Sequence, residues 1–245
     1  MQLKFSFPGD RDDRFETFAI DEANREAVAL CRAFVENNGV GPRSLILHGI
    51  AGSGKTHLLT AMGRLHDARH EKKSSLYLDA GWLRQQVNAA QCYEELKSRL
   101  AGYESASFLA VDNLEQIMGE REAEDQVFHL YNAVTQPGGR FAAAVRAAPS
   151  TWKFADWLAT RLLWGQVVAL APVGDDRRVE ALIKMAADLR MTLPSQAAQW
   201  LLTRLPRDPA TQREALRLID QRSLTTGRKV SISLMKEALE RFHAP

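Results

Sequence analysis

Short apolar runs alternate with stretches of helical periodicity over most of the chain. Each run has three to five residues and no regular polar alternation, the pattern of strands buried on both faces of a sheet. The runs are Ser44–Leu47, Leu76–Leu78, Phe108–Val111, Phe141–Val145 and Gln166–Leu170. Between them, residues 27–35 and 127–134 place apolar side chains at the i, i+3, i+4 positions of a helix. This alternation predicts an α/β fold with a parallel sheet.

The strand pattern stops at Pro172-Val173-Gly174, and only helical periodicity follows. The later amphipathic stretches cover 179–187, 198–205, 209–224 and 235–242, with Pro194, Pro206, Pro209 and Gly227 as breakers. We therefore predict an α/β domain over residues 9–173 and a small helical domain over 174–245. Residues 1–8 precede the first periodic stretch and are predicted to form a separate extended peptide.

A glycine-rich motif lies between the first predicted strand and the helix after it. It comprises Gly49, Ile50, Ala51, Gly52, Ser53, Gly54, Lys55 and Thr56, and matches the pattern G-x-x-x-x-G-K-[ST] in full. Glycines allow the backbone amides to surround phosphates closely, and the helix N-terminus favours the anion. Lys55 is predicted to reach the β- and γ-phosphates and the Thr56 hydroxyl to ligate Mg²⁺.

A second carboxylate for Mg²⁺ is expected at the end of a neighbouring strand. Phe108–Val111 ends in Asp112, which fits the Walker B pattern of P-loop NTPases. Asn113 follows it, where a second carboxylate usually activates the attacking water. Because an amide can orient water but cannot accept its proton, we predict nucleotide binding with weak intrinsic hydrolysis.

With these motifs in place, the chain resembles the DnaA-related AAA+ ATPases, and among them the Hda family of shorter regulators. The similar segments are 15–18, 111–115, 127–132, 158–166, 228–229 and the last helix. The resemblance implies a five-stranded parallel sheet with flanking helices, a C-terminal helical lid, and an ADP or ATP site with Mg²⁺ at the junction of the two.

The resemblance also implies roles for two arginines. Arg161 falls at the arginine-finger position, where it would act in trans on a neighbour's nucleotide; the alternative is an ordinary surface or ion-pair residue. In the lid, Ala210 falls at the sensor-2 position, so Arg213, one turn later, either substitutes for that arginine or the sensor is absent. The residues that follow Val145 also depart from the family, since Arg146-Ala-Ala-Pro149 replaces the usual sensor-1 stretch.

The N-terminal peptide is similar to the one by which Hda proteins bind the DNA polymerase sliding clamp. Gln2 offers an amide, and Leu3, Phe5 and Phe7 fall on one side of an extended chain. The alternative is an edge strand that packs on the protein's own sheet.

Composition and charge narrow the class of protein. Hydrophobic residues make up 45% and charged residues 25% of 245 residues, which is ordinary for a globular protein. Residues 1–173 carry 19 Lys and Arg against 21 Asp and Glu, whereas residues 174–245 carry 13 against 9. The longest apolar run, about seven residues, is far short of the ~20 of a membrane helix. Cys31 and Cys92, predicted to lie among core residues, favour a cytoplasmic location.

The implied function is a regulator of replication initiation. Docked on the sliding clamp, it would promote hydrolysis of ATP bound to DnaA and so prevent re-initiation; a homodimer is compatible with the same family. DnaA continues past its lid into a DNA-binding domain, and this chain ends at Pro245, so sequence-specific DNA binding by that route is not expected. The alternative is a DnaA-type ATPase that loads or adapts a replication protein such as the helicase. A metabolic P-loop kinase would need acceptor-site residues that the lid region does not offer.

Overall fold

A single parallel sheet organises the first part of the chain. The computed structural model describes residues 13–37, 40–70, 74–174, 177–205, 209–240 and 242. Within them the strands are β1 (Ser44–His48), β2 (Ser75–Asp79), β3 (Phe108–Asp112), β4 (Arg140–Val145) and β5 (Gln166–Ala169). Their order across the sheet is β2-β3-β4-β1-β5, and every neighbouring pair is parallel. The predicted five-stranded parallel sheet is confirmed.

Helices follow the strands as the periodicity predicted. In the α/β part they are α1 (Arg25–Glu36), α2 (Lys55–Arg69), α3 (Ala80–Ala89), α4 (Tyr93–Glu104), α5 (Arg121–Thr135) and α6 (Asp156–Leu163). Among the described residues of this part, short 3₁₀ helices cover Leu114–Ile117 and Pro149–Thr151. The C-terminal part contains α7 (Arg178–Asp188), α8 (Ser195–Leu202), α9 (Pro209–Thr226) and α10 (Ile232–Leu239).

Burial separates the three central strands from the two edge strands. All residues of β3 and β4 are buried, as are four of the five in β1, whereas β2 and β5 are largely half-buried. The prediction that every strand is buried on both faces is therefore wrong for β2 and β5, because an edge strand has only one neighbour. Alternate side chains of β1 enter different apolar clusters, Leu45 and Leu47 on one face and Ile46 on the other.

The chain divides into two compact units. One contains residues 24–171 with the segment that ends at Phe18, and the other contains residues 19–23 with those from Pro172 onward. The helical unit has its own apolar core, to which Leu182, Leu201, Leu216 and Leu234 contribute. No helix in the described residues is both long and apolar enough to cross a membrane.

The two cysteines differ from each other. Cys31 is fully buried in α1, and burial raises the pKa of its thiol to about 12. Cys92 is exposed and lies just before the first residue of α4. The prediction that both are core residues is wrong for Cys92, because its position before a helix start leaves it outside the apolar face.

Candidate nucleotide-binding site

The glycine-rich loop joins the last residue of β1, His48, to Lys55, the first residue of α2. Gly52 and Gly54 have φ angles of 81° and 97°, which side chains other than glycine rarely adopt. A Cβ at Gly49 would lie 2.3 Å from the carbonyl oxygen of Leu170. These glycines therefore let the loop turn tightly at the carboxyl edge of the sheet, the location at which ligands bind in open α/β folds.

Lys55 is the cation of this loop. Its side chain is close to fully buried, and its ammonium donates hydrogen bonds to the carbonyl oxygens of Gly49 at 2.6 Å and Ile50 at 2.9 Å. Burial lowers the pKa of Lys55, while the charges of Asp112 and Glu115 raise it and that of Arg146 lowers it further. The loop thus concentrates positive charge beside its own backbone amides, which suits a phosphate group.

Asp112 receives hydrogen bonds from three residues. The Thr56 hydroxyl donates to Oδ2 over 2.6 Å, and the Tyr77 hydroxyl donates to the same oxygen over 2.9 Å. The amide of Asn113 donates to Oδ1 over 2.9 Å. A hydroxyl and a carboxylate oxygen held this close are the hard ligands that Mg²⁺ prefers, so the residues fit a magnesium–nucleotide complex. Tyr77 was missed because its position in an apolar run indicated only a strand.

The side chain of Asn113 is hydrogen-bonded to Asp79, the last residue of β2, rather than directed at the glycine-rich loop. Its Nδ2 donates to Asp79 Oδ2 over 2.7 Å, and Asp79 Oδ1 accepts the amide of Trp82 at the start of α3. Asn113 has a left-handed backbone (φ 57°), which Asn and Asp adopt more readily than most residues. Its predicted role in orienting water stays a prediction. Asp79 was also missed; its only sequence signal was its place directly after the apolar run Leu76–Leu78, and the structure puts it in register with Asp112.

Arg161 lies on α6 and packs against aromatic rings. Its guanidinium carbon is 4.2 Å from the ring centroid of Trp164 and 5.4 Å from that of Phe128. Trp164 is 68% exposed, so this stack faces solvent. Within the described part of the chain, no carboxylate pairs with Arg161 and no acceptor receives its N–H groups. These contacts show no ion pair, and both the predicted arginine-finger role and the alternative of an ordinary surface residue remain predictions.

The segment before the sheet is held against the loop and α2. The ring of Phe18 lies so near Gly54 that an added Cβ there would be 2.5 Å from it. His57 in the first turn of α2 donates through Nε2 to the carbonyl oxygen of Arg14 (2.8 Å), and its Nδ1 is 3.3 Å from Asp13. This arrangement fits the segment that the family resemblance places beside the nucleotide.

The remaining predicted site residues differ in burial, and some of them lie outside the α/β unit or outside the described residues. Ser53 is buried, and its hydroxyl has no hydrogen-bond partner among the described residues, whereas Ile50 is 62% exposed. Arg213 lies on α9, in the other compact unit. The proposed clamp-binding residues Gln2, Leu3, Phe5 and Phe7 lie outside the residues that the structure describes.

The sheet order, the glycine-rich loop after β1 and the carboxylate of Asp112 at the end of β3 define a P-loop protein of the AAA+ class. Residues 10–169 match the family described as the bacterial DnaA ATPase domain, and the chain therefore belongs to it. Residues 175–239 match the Hda lid domain.

Solved structures are similar over nearly the whole chain. Domain III of the Thermotoga maritima replication initiation protein DnaA has a TM-score of 0.80 at 21% identity, covering 96% of this chain and 98% of that one. DnaA from Aquifex aeolicus, bound to AMPPCP, has a TM-score of 0.69 at 21% identity, with 93% and 67% covered. RuvB from Thermotoga maritima has a TM-score of 0.66 at 13% identity, with 95% and 72% covered. At these identities the likeness establishes the shared fold.

Proposed function

We propose that this chain is a nucleotide-binding regulator of replication initiation that promotes hydrolysis of ATP bound to DnaA. The observation that carries the proposal is the guanidinium of Arg161, which stacks on Trp164 and keeps its N–H groups without an acceptor in the described residues. Stacking holds a guanidinium by its faces and leaves its planar edge for a bidentate phosphate contact. The match of residues 175–239 to the Hda lid favours DnaA as the protein that carries that phosphate.

The chain's own nucleotide has a different role in this proposal. Lys55 and the loop amides would hold the phosphates of ADP or ATP, and Thr56 with Asp112 would hold Mg²⁺, which neutralises phosphate charge. Asn113 offers no carboxylate, and its amide already donates to Asp79. We therefore infer that the chain's own nucleotide is hydrolysed slowly.

Single-turnover hydrolysis of ATP prebound to purified DnaA, in the presence of DNA-loaded clamp, tests the proposal. The wild-type chain should accelerate hydrolysis, and Arg161→Ala should lose about 10³-fold or more of that acceleration, the range typical of arginine fingers. Arg161→Lys keeps the charge but not the planar edge, so it should recover little. Thr160→Ala, at the exposed residue before it on α6, is the matched control and should behave as wild type.

Two outcomes would contradict this assignment in different ways. If the wild-type chain leaves DnaA's hydrolysis rate unchanged, the regulator proposal is wrong and a loader or adaptor function is favoured. If Arg161→Ala loses affinity for the chain's own nucleotide, Arg161 is a ligand in cis.

We further propose that residues 1–8 dock on the sliding clamp. The support is the sequence: Gln2 supplies an amide, and Leu3, Phe5 and Phe7 share one side of an extended chain. A short extended peptide gains affinity from backbone pairing and from side chains that enter pockets.

Binding of the intact protein to purified clamp tests the docking proposal. Replacing Leu3 and Phe5 by Ala removes two apolar anchors, about 3 kcal/mol in all, which corresponds to roughly a hundredfold in clamp affinity. The melting temperature should scarcely change. Lys4→Ala, on the opposite side of the extended peptide, is the control. Unchanged clamp affinity together with a lower melting temperature would instead indicate that these side chains pack on the protein's own sheet.

A further inference from the structure

Asp112, the carboxylate at the end of β3, is almost completely removed from solvent. It is 1% exposed, and in the described part of the chain no Lys or Arg nitrogen forms an ion pair with it. The donors that reach it are neutral: the hydroxyls of Thr56 and Tyr77 at Oδ2, and the amide of Asn113 at Oδ1. A buried carboxylate without a cation depends on such donors for its charge and its orientation. These hydrogen bonds therefore hold the orientation in which Asp112 would meet a metal ion.

Tyr77 differs from the other two donors because it has no other part in the proposed nucleotide site. The Asn113 amide belongs to the backbone and is present whatever side chain follows Asp112. The Thr56 hydroxyl lies in the glycine-rich motif and is itself a proposed ligand of Mg²⁺. Tyr77 lies on β2, 35 positions before Asp112 in the sequence. A substitution at Tyr77 thus changes the support of Asp112 while the phosphate-binding groups stay in place.

Strand register explains why a tyrosine can make this contact. Tyr77 is in register with Ala110, and Asp79 is in register with Asp112. Because alternate residues of a strand share a face, Tyr77 and Asp112 lie on the same face, two positions apart along neighbouring strands. Such diagonal neighbours are about 7–8 Å apart, a distance that an aromatic side chain spans and a serine or threonine hydroxyl does not. The Tyr77 side chain also packs against the apolar cluster that contains Ala110, which restricts the position of its hydroxyl.

We propose that Tyr77 is a positioning residue for Mg²⁺ in the chain's own nucleotide site. Its hydroxyl fixes Asp112 through Oδ2, so that the carboxylate is already oriented when the cation arrives with the nucleotide. The proposal rests on the nucleotide binding proposed above and deepens it by assigning a residue that contacts the metal ligand and not the metal. Hydrogen bonds to a ligating carboxylate set its orientation, and their loss typically lowers metal affinity 10- to 100-fold.

Equilibrium titrations of the full chain with a fluorescent, non-hydrolysable ATP analogue test this role without turnover. The affinity for the analogue is measured over a series of Mg²⁺ concentrations and in EDTA. Tyr77→Phe keeps the ring and removes the hydroxyl, so it should raise the Mg²⁺ concentration needed for half of the metal's effect by about tenfold or more. Its affinity in EDTA should stay within about twofold of wild type, because Tyr77 has no proposed contact with phosphate.

Tyr131→Phe is the matched control. It removes another tyrosine hydroxyl, which is hydrogen-bonded to Ser44 Oγ over 2.9 Å at the first residue of β1, at the other end of that strand from the glycine-rich loop. This variant should lose some thermal stability and keep the Mg²⁺ dependence of wild type. If Tyr77→Phe does not fold, as its circular dichroism and melting curve would report, Tyr77→Met also lacks the hydroxyl and carries the same expectation.

Several results would overturn the inference. An unchanged Mg²⁺ dependence in Tyr77→Phe would show that Asp112 needs no support from this hydroxyl, and a lower Mg²⁺ requirement would show that the hydroxyl competes with the metal. Equal losses of affinity in EDTA and in Mg²⁺, or the same shift in Tyr131→Phe, would indicate a general effect on stability. Nucleotide binding that does not respond to Mg²⁺ in wild type would overturn this inference and leave nucleotide binding intact. Wild-type protein that binds no nucleotide would overturn both, whereas failure of DnaA stimulation alone would affect neither.

Discussion

Lys55 and Arg161 are both cations of the α/β unit, but their surroundings are opposite. Lys55 is close to fully buried and donates to two carbonyl oxygens of its own loop. Arg161 is half-buried, lies against the rings of Phe128 and Trp164, and finds no acceptor in the described residues. The ammonium of Lys55 is hydrogen-bonded to the loop that would bind the phosphate. The described contacts of the Arg161 guanidinium are with aromatic rings.

If both cations bind phosphate as proposed, the difference predicts which molecule supplies each phosphate. Buried donors that converge with backbone amides are pre-arranged for a ligand within the same chain, because much of their desolvation has already taken place. A guanidinium stacked on an exposed tryptophan keeps its donors in water, so a second protein can supply the acceptor. We therefore expect substitutions at the two sites to affect different reactions.

The largest expected effect is on the affinity for nucleotide, and it distinguishes Lys55 from Arg161. Lys55→Ala should weaken binding of labelled ATP and ADP by about a hundredfold or more, because charge-assisted hydrogen bonds to phosphate are lost. Arg161→Ala should bind both nucleotides within a few-fold of wild type. Equal losses in the two variants would remove the distinction between an internal and an external phosphate ligand.

A smaller effect is expected at the aromatic support of Arg161. A cation–π contact at an exposed site contributes about 0.5–1 kcal/mol, so Trp164→Ala should reduce stimulation of DnaA's ATPase several-fold while own-nucleotide affinity stays unchanged. Trp164→Phe should recover part of the loss, because it retains a ring. Leu163→Ala, at a neighbouring side chain that is 48% exposed, controls for a general loss of contact area. Equal losses in Leu163→Ala and Trp164→Ala would argue against a specific role of the stack.

The last expected effect is on stability rather than on binding or stimulation, and it concerns Asn113. Asn113→Asp places a carboxylate where Nδ2 now donates to Asp79 at 2.7 Å, which should cost about 1–3 kcal/mol and lower the melting temperature by several degrees. The double variant Asp79→Asn/Asn113→Asp reverses donor and acceptor and keeps an oxygen for the amide of Trp82, so stability should return.

The double variant Asp79→Asn/Asn113→Asp also tests whether the missing carboxylate limits the rate of ATP hydrolysis. If a missing carboxylate limits turnover, the stable double variant should hydrolyse ATP faster than wild type in a purified, multiple-turnover assay. A double variant that is as stable as wild type and no faster would show that another group limits the rate.

Much of this architecture could be predicted from local sequence. Unbroken apolar runs predicted all five strands, and the change in period predicted the helical C-terminal part, because both patterns reflect burial along a single element. The prediction was wrong at β2 and β5, since whether a strand has one neighbour or two is decided by sheet order. Cys92 was misplaced for a related reason: the stretch around it has helical character, but its side chain precedes the helix.

The sequence by itself determined the phosphate loop, the strand-ending Asp112 and the absence of a carboxylate at Asn113, because each depends on residue types at short, fixed spacing. Only the tertiary structure decided what these groups contact. The Tyr77 hydroxyl donates to Asp112 on the neighbouring strand, and the side-chain amide of Asn113 donates to Asp79. Glu115 accepts the backbone amide of Arg146, which is 31 positions away in the sequence. Such pairs arise from strand order and register. A local sequence pattern therefore does not predict which distant donor forms a hydrogen bond with a buried or half-buried carboxylate.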